Sequence, residues 1–170
     1  MPNFMKLKKI LLLLIFLPIL IMAFSPAAWA ENQSIWEQKT PLLEKNSIVV
    51  YSDPSCGCCE GWIKHLNKQG FKVTNIKTPN VFSIKEKYQV PEQLASCHTA
   101  LIDGYVIEGH VPAKDIKRLV LNKSELQGLS VPQMPVGTPG MEMGNRKDPF
   151  SVVGFEKNGK TSIFETYQSY

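Results

Sequence analysis

The feature that most constrains the fold is a cysteine cluster between a short apolar run and an amphipathic segment. Cys56-Gly57-Cys58-Cys59 follows the apolar residues 48–51 and precedes a stretch with helical spacing. A second cluster, Cys97-His98, stands just before the apolar residues 100–102. Sulfur and imidazole groups gathered in this way indicate metal or redox chemistry. Because each cluster adjoins a predicted strand, we expect the two to meet at one edge of a sheet.

The first thirty residues are predicted to be a secretory signal peptide and are left out of the fold. Lysines at 6, 8 and 9 precede an apolar run at 10–24 that Pro18 interrupts, and Ala28-Trp29-Ala30 has the pattern of a cleavage site. The alternative is an uncleaved membrane anchor, although the apolar run is shorter than the roughly 20 residues of a spanning helix. We therefore expect a secreted mature protein, with no membrane insertion after cleavage.

Removal of this segment changes the charge argument. The formal net charge falls from +4 to +1, because three of the basic residues and none of the acidic residues lie in the first thirty. This balance excludes a strongly basic surface of the kind that binds nucleic acids. The remaining chain of about 140 residues is long enough for one domain with its own core.

The apolar pattern predicts a single α/β domain of the thioredoxin or glutaredoxin class with a central mixed sheet. Residues 31–47 are predicted to be an N-terminal arm, and residues 48–170 the domain. The predicted order is strand, helix, strand, helix, two strands and a helix. The ranges are 48–52, 58–69, 71–76, 80–88, 99–102 and 105–108, and the last helix begins at Pro112.

Turn signals organise the rest of the chain. Asp103-Gly104 predicts a tight hairpin, and Asn158-Gly159 predicts a second, C-terminal hairpin. Between the two hairpins, residues 130–149 are rich in proline, glycine and methionine, which predicts an irregular loop.

The chemistry of the first cluster follows from its place at a helix N-terminus. The partial positive charge there stabilises thiolates, which are both nucleophiles and metal ligands. Cys56 and Cys59 form a C-x-x-C pair, and Cys58 adds a third sulfur inside it. If the segment 98–104 aligns with the glutaredoxin segment that starts at a cis-proline, His98 takes the proline's place beside the pair. Extra thiols disturb a simple disulfide cycle, so metal binding fits better than routine exchange.

The donor types favour copper(I) over zinc. Thiolate with imidazole suits either metal, and a set of three cysteines and one histidine would also suit structural zinc. Met134, Met141 and Met143 are the only methionines of the mature chain. Their thioethers favour copper(I), and the alternative is that they merely pack against the core. The predicted metal ligands are Cys56, Cys58, Cys59, Cys97 and His98, with His110, Met134, Met141 and Met143 as further candidates.

Structural roles, without metal binding, are alternatives for several of these residues. Four cysteines in a secreted protein are most often two disulfides, although the crowding of the first three argues against that here. His65 is predicted to lie on a solvated helix face rather than to bind metal. His110 is a weaker candidate ligand than His98, with a surface or capping role as its alternative.

Four runs in order closely resemble the CopG-like family of periplasmic copper-resistance proteins, long catalogued as a domain of unknown function. They are residues 56–62, 94–100, 104–113 and 134–142. The resemblance implies a thioredoxin-like fold that binds copper through the C-x-C-C and C-H motifs, and the residues at those positions here are Cys56, Cys58, Cys59, Cys97 and His98. It also implies a role in copper handling beside copper-export and copper-oxidation systems.

We therefore predict a periplasmic copper(I)-binding protein that serves copper resistance by sequestering or passing on copper. Its partners would be copper ions and a copper exporter or copper oxidase of the same compartment. The enzyme alternative is a thiol-disulfide or copper oxidoreductase, with Cys56 as the nucleophile and Cys59 as the resolving cysteine. A third reading is a secreted interaction domain stapled by disulfides.

Overall fold

The computed structural model describes residues 34–41 and 43–170, which belong to one compact unit. The predicted signal peptide, residues 1–30, lies outside the described residues. In the part of the chain that is described, no helix has the length and apolar character needed to cross a membrane.

Seven strands in the described residues form one mixed sheet. They are β1 (Ser47–Ser52), β2 (Lys72–Lys77), β3 (His98–Ile102), β4 (Tyr105–Glu108), β5 (Gly128–Ser130), β6 (Phe150–Phe155) and β7 (Thr161–Tyr167). Their order across the sheet is β2-β1-β3-β4-β5-β6-β7. The pairs β1–β2 and β4–β5 are parallel, and the other neighbours are antiparallel.

Three α-helices connect the strands: α1 (Gly57–Lys68), α2 (Val81–Lys87) and α3 (Ala113–Leu121). Helix α1 ends before Gly70, whose φ of 87° is readily adopted only by glycine. The Asn80 side chain accepts the backbone N–H of Ser83 and so caps α2. Pro112 precedes the first turn of α3, where its missing N–H costs nothing. Short 3-10 turns span Ile35–Glu37 and Glu92–Leu94.

The two faces of the sheet carry cores of different size. Adjacent residues of a strand point to opposite faces, so Ile107 and Val106 of β4 belong to different clusters. The large cluster contains Ile107 with the buried side chains of α1 and α3. The small cluster contains Val106 with Leu94 and Phe155. Trp36, from the predicted N-terminal arm, is 5% exposed and belongs to the large cluster.

The predicted α/β domain with a mixed sheet is confirmed, and so are both hairpins and the irregular loop before the second one. Strand β5 is absent from the sequence prediction, because three residues are too few to show an apolar period. The element order of β1 to α3 agrees with the predicted one. The assignment to the thioredoxin class rests on that order and stays a prediction.

Candidate metal centre

The two cysteine clusters meet at one edge of the sheet, where β1 ends and β3 begins. Ser52, the last residue of β1, is paired with His98, the first residue of β3. From Ser52 the chain turns into α1, whose N-cap residue is Cys56. The predicted meeting of the two clusters is therefore confirmed.

Four cysteine sulfurs form the first group of donor atoms. The sulfurs of Cys56, Cys58, Cys59 and Cys97 all lie within 4.8 Å of one another. This confirms the proximity predicted for Cys97, while the role of these residues as ligands stays a prediction. The Sγ atoms of Cys56 and Cys58 are 3.5 Å apart.

The same group contains a disulfide between Cys56 and Cys59. Crowding does not prevent this bond, because the helical turn holds the two Cα atoms 5.4 Å apart, within the usual range for a disulfide. Cys58 and Cys97 are free thiols. The alternative of two disulfides is therefore wrong, and reduction of the one bond would make four thiols available to a metal.

Cys97 also belongs to a second donor group, with His98 and His110. Its Sγ lies 3.2 Å from Nδ1 of His98 and 3.1 Å from Nε2 of His110. His110 is fully buried, so the surface role considered for it is wrong. Its place at the end of the hairpin turns the ring inward, toward the sulfur. Cys97 is thus the one sulfur that the two groups share.

A backbone carbonyl orients the His110 ring. Nδ1 lies 2.7 Å from the carbonyl oxygen of Pro139, which can only accept a hydrogen bond. Nδ1 therefore carries the proton, and Nε2 directs its lone pair toward Cys97. Metal-binding histidines commonly donate their second ring N–H to such a carbonyl. His110 is therefore held in the tautomer and direction that a metal ligand needs.

Apart from the contact of its Nδ1 with the Cys97 sulfur, the His98 ring is held by packing. The ring lies against Trp62 of α1, with 4.3 Å between ring centroids. Its Nε2 is buried and has no hydrogen-bond partner among the described residues. An unpaired buried nitrogen is costly, and a metal ion would satisfy it. The sequence motifs alone do not assign Trp62 to the site; its position one turn after Cys59, on the same helix face, is the signal for this role.

The protonation states of the three side chains in this second group suit metal binding. Burial first, and then the neighbouring Cys58, raises the pKa of the Cys97 thiol to about 12. Burial lowers the pKa of His98 and of His110 below its ordinary value. At neutral pH the site therefore holds a neutral thiol beside two neutral imidazoles. Neutral imidazole is the ligand form, and the thiol loses its proton when a metal binds.

The proline- and glycine-rich loop lies over the first turn of α1. A Cβ on Gly140 would come within 2.8 Å of the Cys58 carbonyl oxygen. Met134 is 49% exposed and Met143 is 64% exposed, so the alternative that these two pack in the core is wrong. Met141 directly follows Gly140 and is partly buried. The thioethers as copper ligands stay a prediction.

His65 takes a structural position outside both donor groups. Its side chain is only 8% exposed, so the predicted solvated position is wrong. The reason is the start of α3, where Ala113 has a backbone N–H without a partner in its own helix. Nε2 of His65 accepts that N–H at 3.1 Å. Burial lowers the pKa of His65 to about 4.

The chain is similar to known proteins over most of its described length. Residues 94–141 match a family model described as a protein of unknown function, DUF411. Two solved structures, each described as copper resistance protein CopG, are 47% identical to the chain. Form 1 has a TM-score of 0.71, with 74% of this chain and 100% of that chain covered. Form 2 has a TM-score of 0.70, with 73% and 99% covered. Comparison with curated proteins finds no match.

Proposed function

The chain belongs to the CopG family of copper-resistance proteins, and on that premise we propose that it binds copper(I) in the periplasm. It would sequester copper or pass it on, and so contribute to copper resistance. The proposed ligands are Cys56, Cys58, Cys59, Cys97 and His98, together with His110.

The observation that supports this proposal is the position of the Cys97 sulfur. It belongs both to the group of four cysteines and to the group with two histidines. Together the two groups offer more donors than one copper(I) ion takes, and thiolates readily bridge soft metal ions. A small copper cluster bridged by Cys97 therefore fits the geometry.

Copper(I) suits these donors better than zinc does. One zinc ion would take four of these six donors in a closed tetrahedron and leave the other two unused. Thiolates select copper(I), imidazole accepts it, and thioether is a third soft donor. The methionines of the loop over α1 are therefore proposed as additional ligands or as transfer sites.

The location and partners are part of the same proposal. The basic, apolar and small-residue segments at 1–30 support export from the cytoplasm. In the periplasm, copper ions would be the first partner, and a copper exporter or copper oxidase would be the second. The exposed thioethers of Met134 and Met143 support transfer to such a partner, because they offer soft donors at the protein surface.

A second function is favoured by the disulfide between Cys56 and Cys59. In a thiol-disulfide or copper oxidoreductase, Cys56 would be the nucleophile and Cys59 the resolving cysteine. Oxidation of the dithiol to the disulfide would release two electrons and two protons. Two copper(II) ions could take up one electron each and become copper(I), and the protons would pass to solvent. The Cys56 sulfur accepts the Cys59 N–H at 3.3 Å, and this bond would stabilise a thiolate.

The variant Cys58→Ser separates the two functions, because it leaves the Cys56–Cys59 pair intact. A copper carrier should lose about tenfold or more in copper(I) affinity, since one thiolate of the group is gone. An oxidoreductase should keep its disulfide cycle. The measurements are competition with a copper(I) chelator and the rate of disulfide exchange, both on the reduced mature protein. Unchanged copper(I) affinity together with unimpaired disulfide exchange would contradict the proposal in favour of the enzyme.

Thiol titration supplies the matching control. Without metal, the reduced protein should show four reactive thiols under denaturing conditions, and copper(I) should protect them in the folded protein. A reversible change of two thiols that copper does not affect would instead support the oxidoreductase.

A further inference from the structure

A buried ion pair contacts the residues on either side of Cys97 and His98. Glu108, the last residue of β4, is fully buried, and Lys85 of α2 reaches its carboxylate. Oε1 of Glu108 accepts the Ser96 N–H at 2.6 Å, and Oε2 accepts the Thr99 hydroxyl at 2.7 Å. These donors stand immediately before and after the Cys97–His98 dipeptide. One carboxylate therefore holds the backbone on both sides of two proposed ligands.

The carboxylate acts just beyond the end of the ladder between β3 and β4, where the outermost backbone hydrogen bond runs from the Gly109 N–H to the His98 carbonyl at 3.0 Å. Thr99 is the first residue of β3 that is opposite a residue of β4, and its partner is Glu108, the last residue of β4. Cys97 precedes the strand, so the hydrogen bonds of the ladder do not fix its position. The bond from Ser96 N–H to Glu108 takes their place, and the Ser96 hydroxyl donates to the carbonyl of Gln133.

Stability alone is a weak reason for such a pair. Removing two charges from water costs several kcal/mol per ion, and apolar residues of similar volume often stabilise a core as well or better. Here the carboxylate collects three donors, and the Lys85 ammonium also donates to Thr99 at 3.1 Å. All of these contacts converge on the residues that flank the shared sulfur.

We propose that Glu108, with Lys85 as its counter-ion, is a positioning residue for the copper site. It holds the segment from Ser96 to Thr99 so that the Cys97 sulfur points into both donor groups. This inference rests on the proposed binding of copper(I) at that sulfur. It assigns to Glu108 an effect on how copper is held, separate from any effect on stability.

The test is the double variant Glu108→Gln with Lys85→Met, which removes both charges without leaving either one unpaired. Copper(I) stoichiometry, competition with a chelator and the thiolate-to-copper absorption band are measured on the reduced protein. We expect about a tenfold or greater loss of affinity and an altered band, as for other groups that orient metal ligands. Thermal unfolding of the metal-free form is measured in parallel.

The matched control is Asp115→Asn. Asp115 is also a buried carboxylate, paired with Arg118 and with the Tyr167 hydroxyl, but it lies in α3 outside both donor groups. It should lower stability while leaving copper stoichiometry, affinity and the band unchanged. If the double variant behaves in the same way, the pair is structural and the positioning role is wrong. If the parent protein itself binds no copper(I), the proposed function fails instead.

Thr99→Val decides the matter should the double variant not fold. It removes one hydroxyl contact of Glu108 at nearly constant shape and keeps the ion pair. A weaker affinity and a shifted band, in the same direction but smaller, are expected. A copper site identical to that of the parent would overturn the positioning role.

Discussion

Two buried polar clusters of this protein differ in how their polar atoms are satisfied. In the first, on α3 and β7, both carboxylate oxygens of Asp115 are paired, with Arg118 at 3.1 Å and with the Tyr167 hydroxyl at 2.6 Å. In the second, which comprises the two donor groups, Cys97 sits between two imidazoles, and the Nε2 of His98 has no partner among the described residues. A cluster that satisfies its own carboxylate stabilises the fold. The Nε of Arg118 in the first cluster is also buried without a partner among the described residues, but this N–H has no lone pair for a metal. A neutral imidazole nitrogen does have one, so the second cluster can take a metal ion from outside.

The largest effect on copper(I) binding is expected from a change at Cys97. Cys97→Ser removes the shared sulfur from both donor groups, so copper(I) affinity should fall by about 100-fold or more, which is about 2.7 kcal/mol. The measurement is chelator competition on the reduced protein. An affinity within about twofold of the parent would show that the two groups are not joined through this sulfur.

His65 extends the comparison to a histidine that already has a partner. Its folded pKa of about 4 lies below the ordinary 6.5, so only the unfolded chain takes up a proton as the pH falls through this window. The free energy of unfolding should therefore decrease between pH 6.5 and pH 4, by up to about 3 kcal/mol from this residue.

His65→Gln provides the matched variant, because its amide oxygen can still accept the Ala113 N–H. Urea unfolding of the metal-free parent and of the variant at pH 7 and pH 4.5 measures the difference. The variant should lose less stability on acidification. If the free energy of unfolding has the same pH dependence in both proteins, His65 does not cause the loss of stability at low pH.

Tyr167→Phe tests the first cluster, around Asp115. The ring remains stacked on Phe150, but the bond to Asp115 is lost and the buried carboxylate keeps only Arg118. Stability should fall by about 1–2 kcal/mol, while copper(I) binding stays as in the parent. Denaturant unfolding and chelator competition are the two measurements. A weakened copper site would contradict the separation of the two clusters.

The smallest effect is expected from the loop. Replacing Met134, Met141 and Met143 together by Leu keeps their apolar bulk and removes the thioethers, so folding should change little. Copper(I) exchange or affinity should change by about threefold to tenfold, less than for a loss of thiolate. Stopped-flow transfer to a chelator measures the exchange.

A glycine variant is the control for loop position. A Cβ on Gly61 would come within 2.8 Å of the Gly140 Cα, so Gly61→Ala should lift the loop without removing any donor atom. A matching change in exchange would assign the effect to loop placement. If neither variant changes affinity or exchange, the methionines are neither ligands nor transfer sites.

The sequence predicts the proposed ligands of this site better than the residues that surround them. Cys56 to Cys59 and Cys97–His98 are local motifs beside apolar runs, so their meeting at the sheet edge follows from strand order. The burial of His65 and His110 could not be predicted, because it depends on Ala113 and Pro139, which are distant in the chain. The burial of Glu108 could not be predicted either, since a charged residue at a strand end usually faces solvent.

The central claim is that reduced Cys97 joins two donor groups that hold copper(I). The most direct measurement is titration of the reduced mature protein with copper(I) against a strong chelator, with zinc as competitor and protection of Cys97 from alkylation as the site-specific readout. The account predicts more than one copper(I) bound per chain, full protection of Cys97 and no displacement by equimolar zinc. Displacement by zinc, or copper binding that leaves Cys97 free to react, would contradict it.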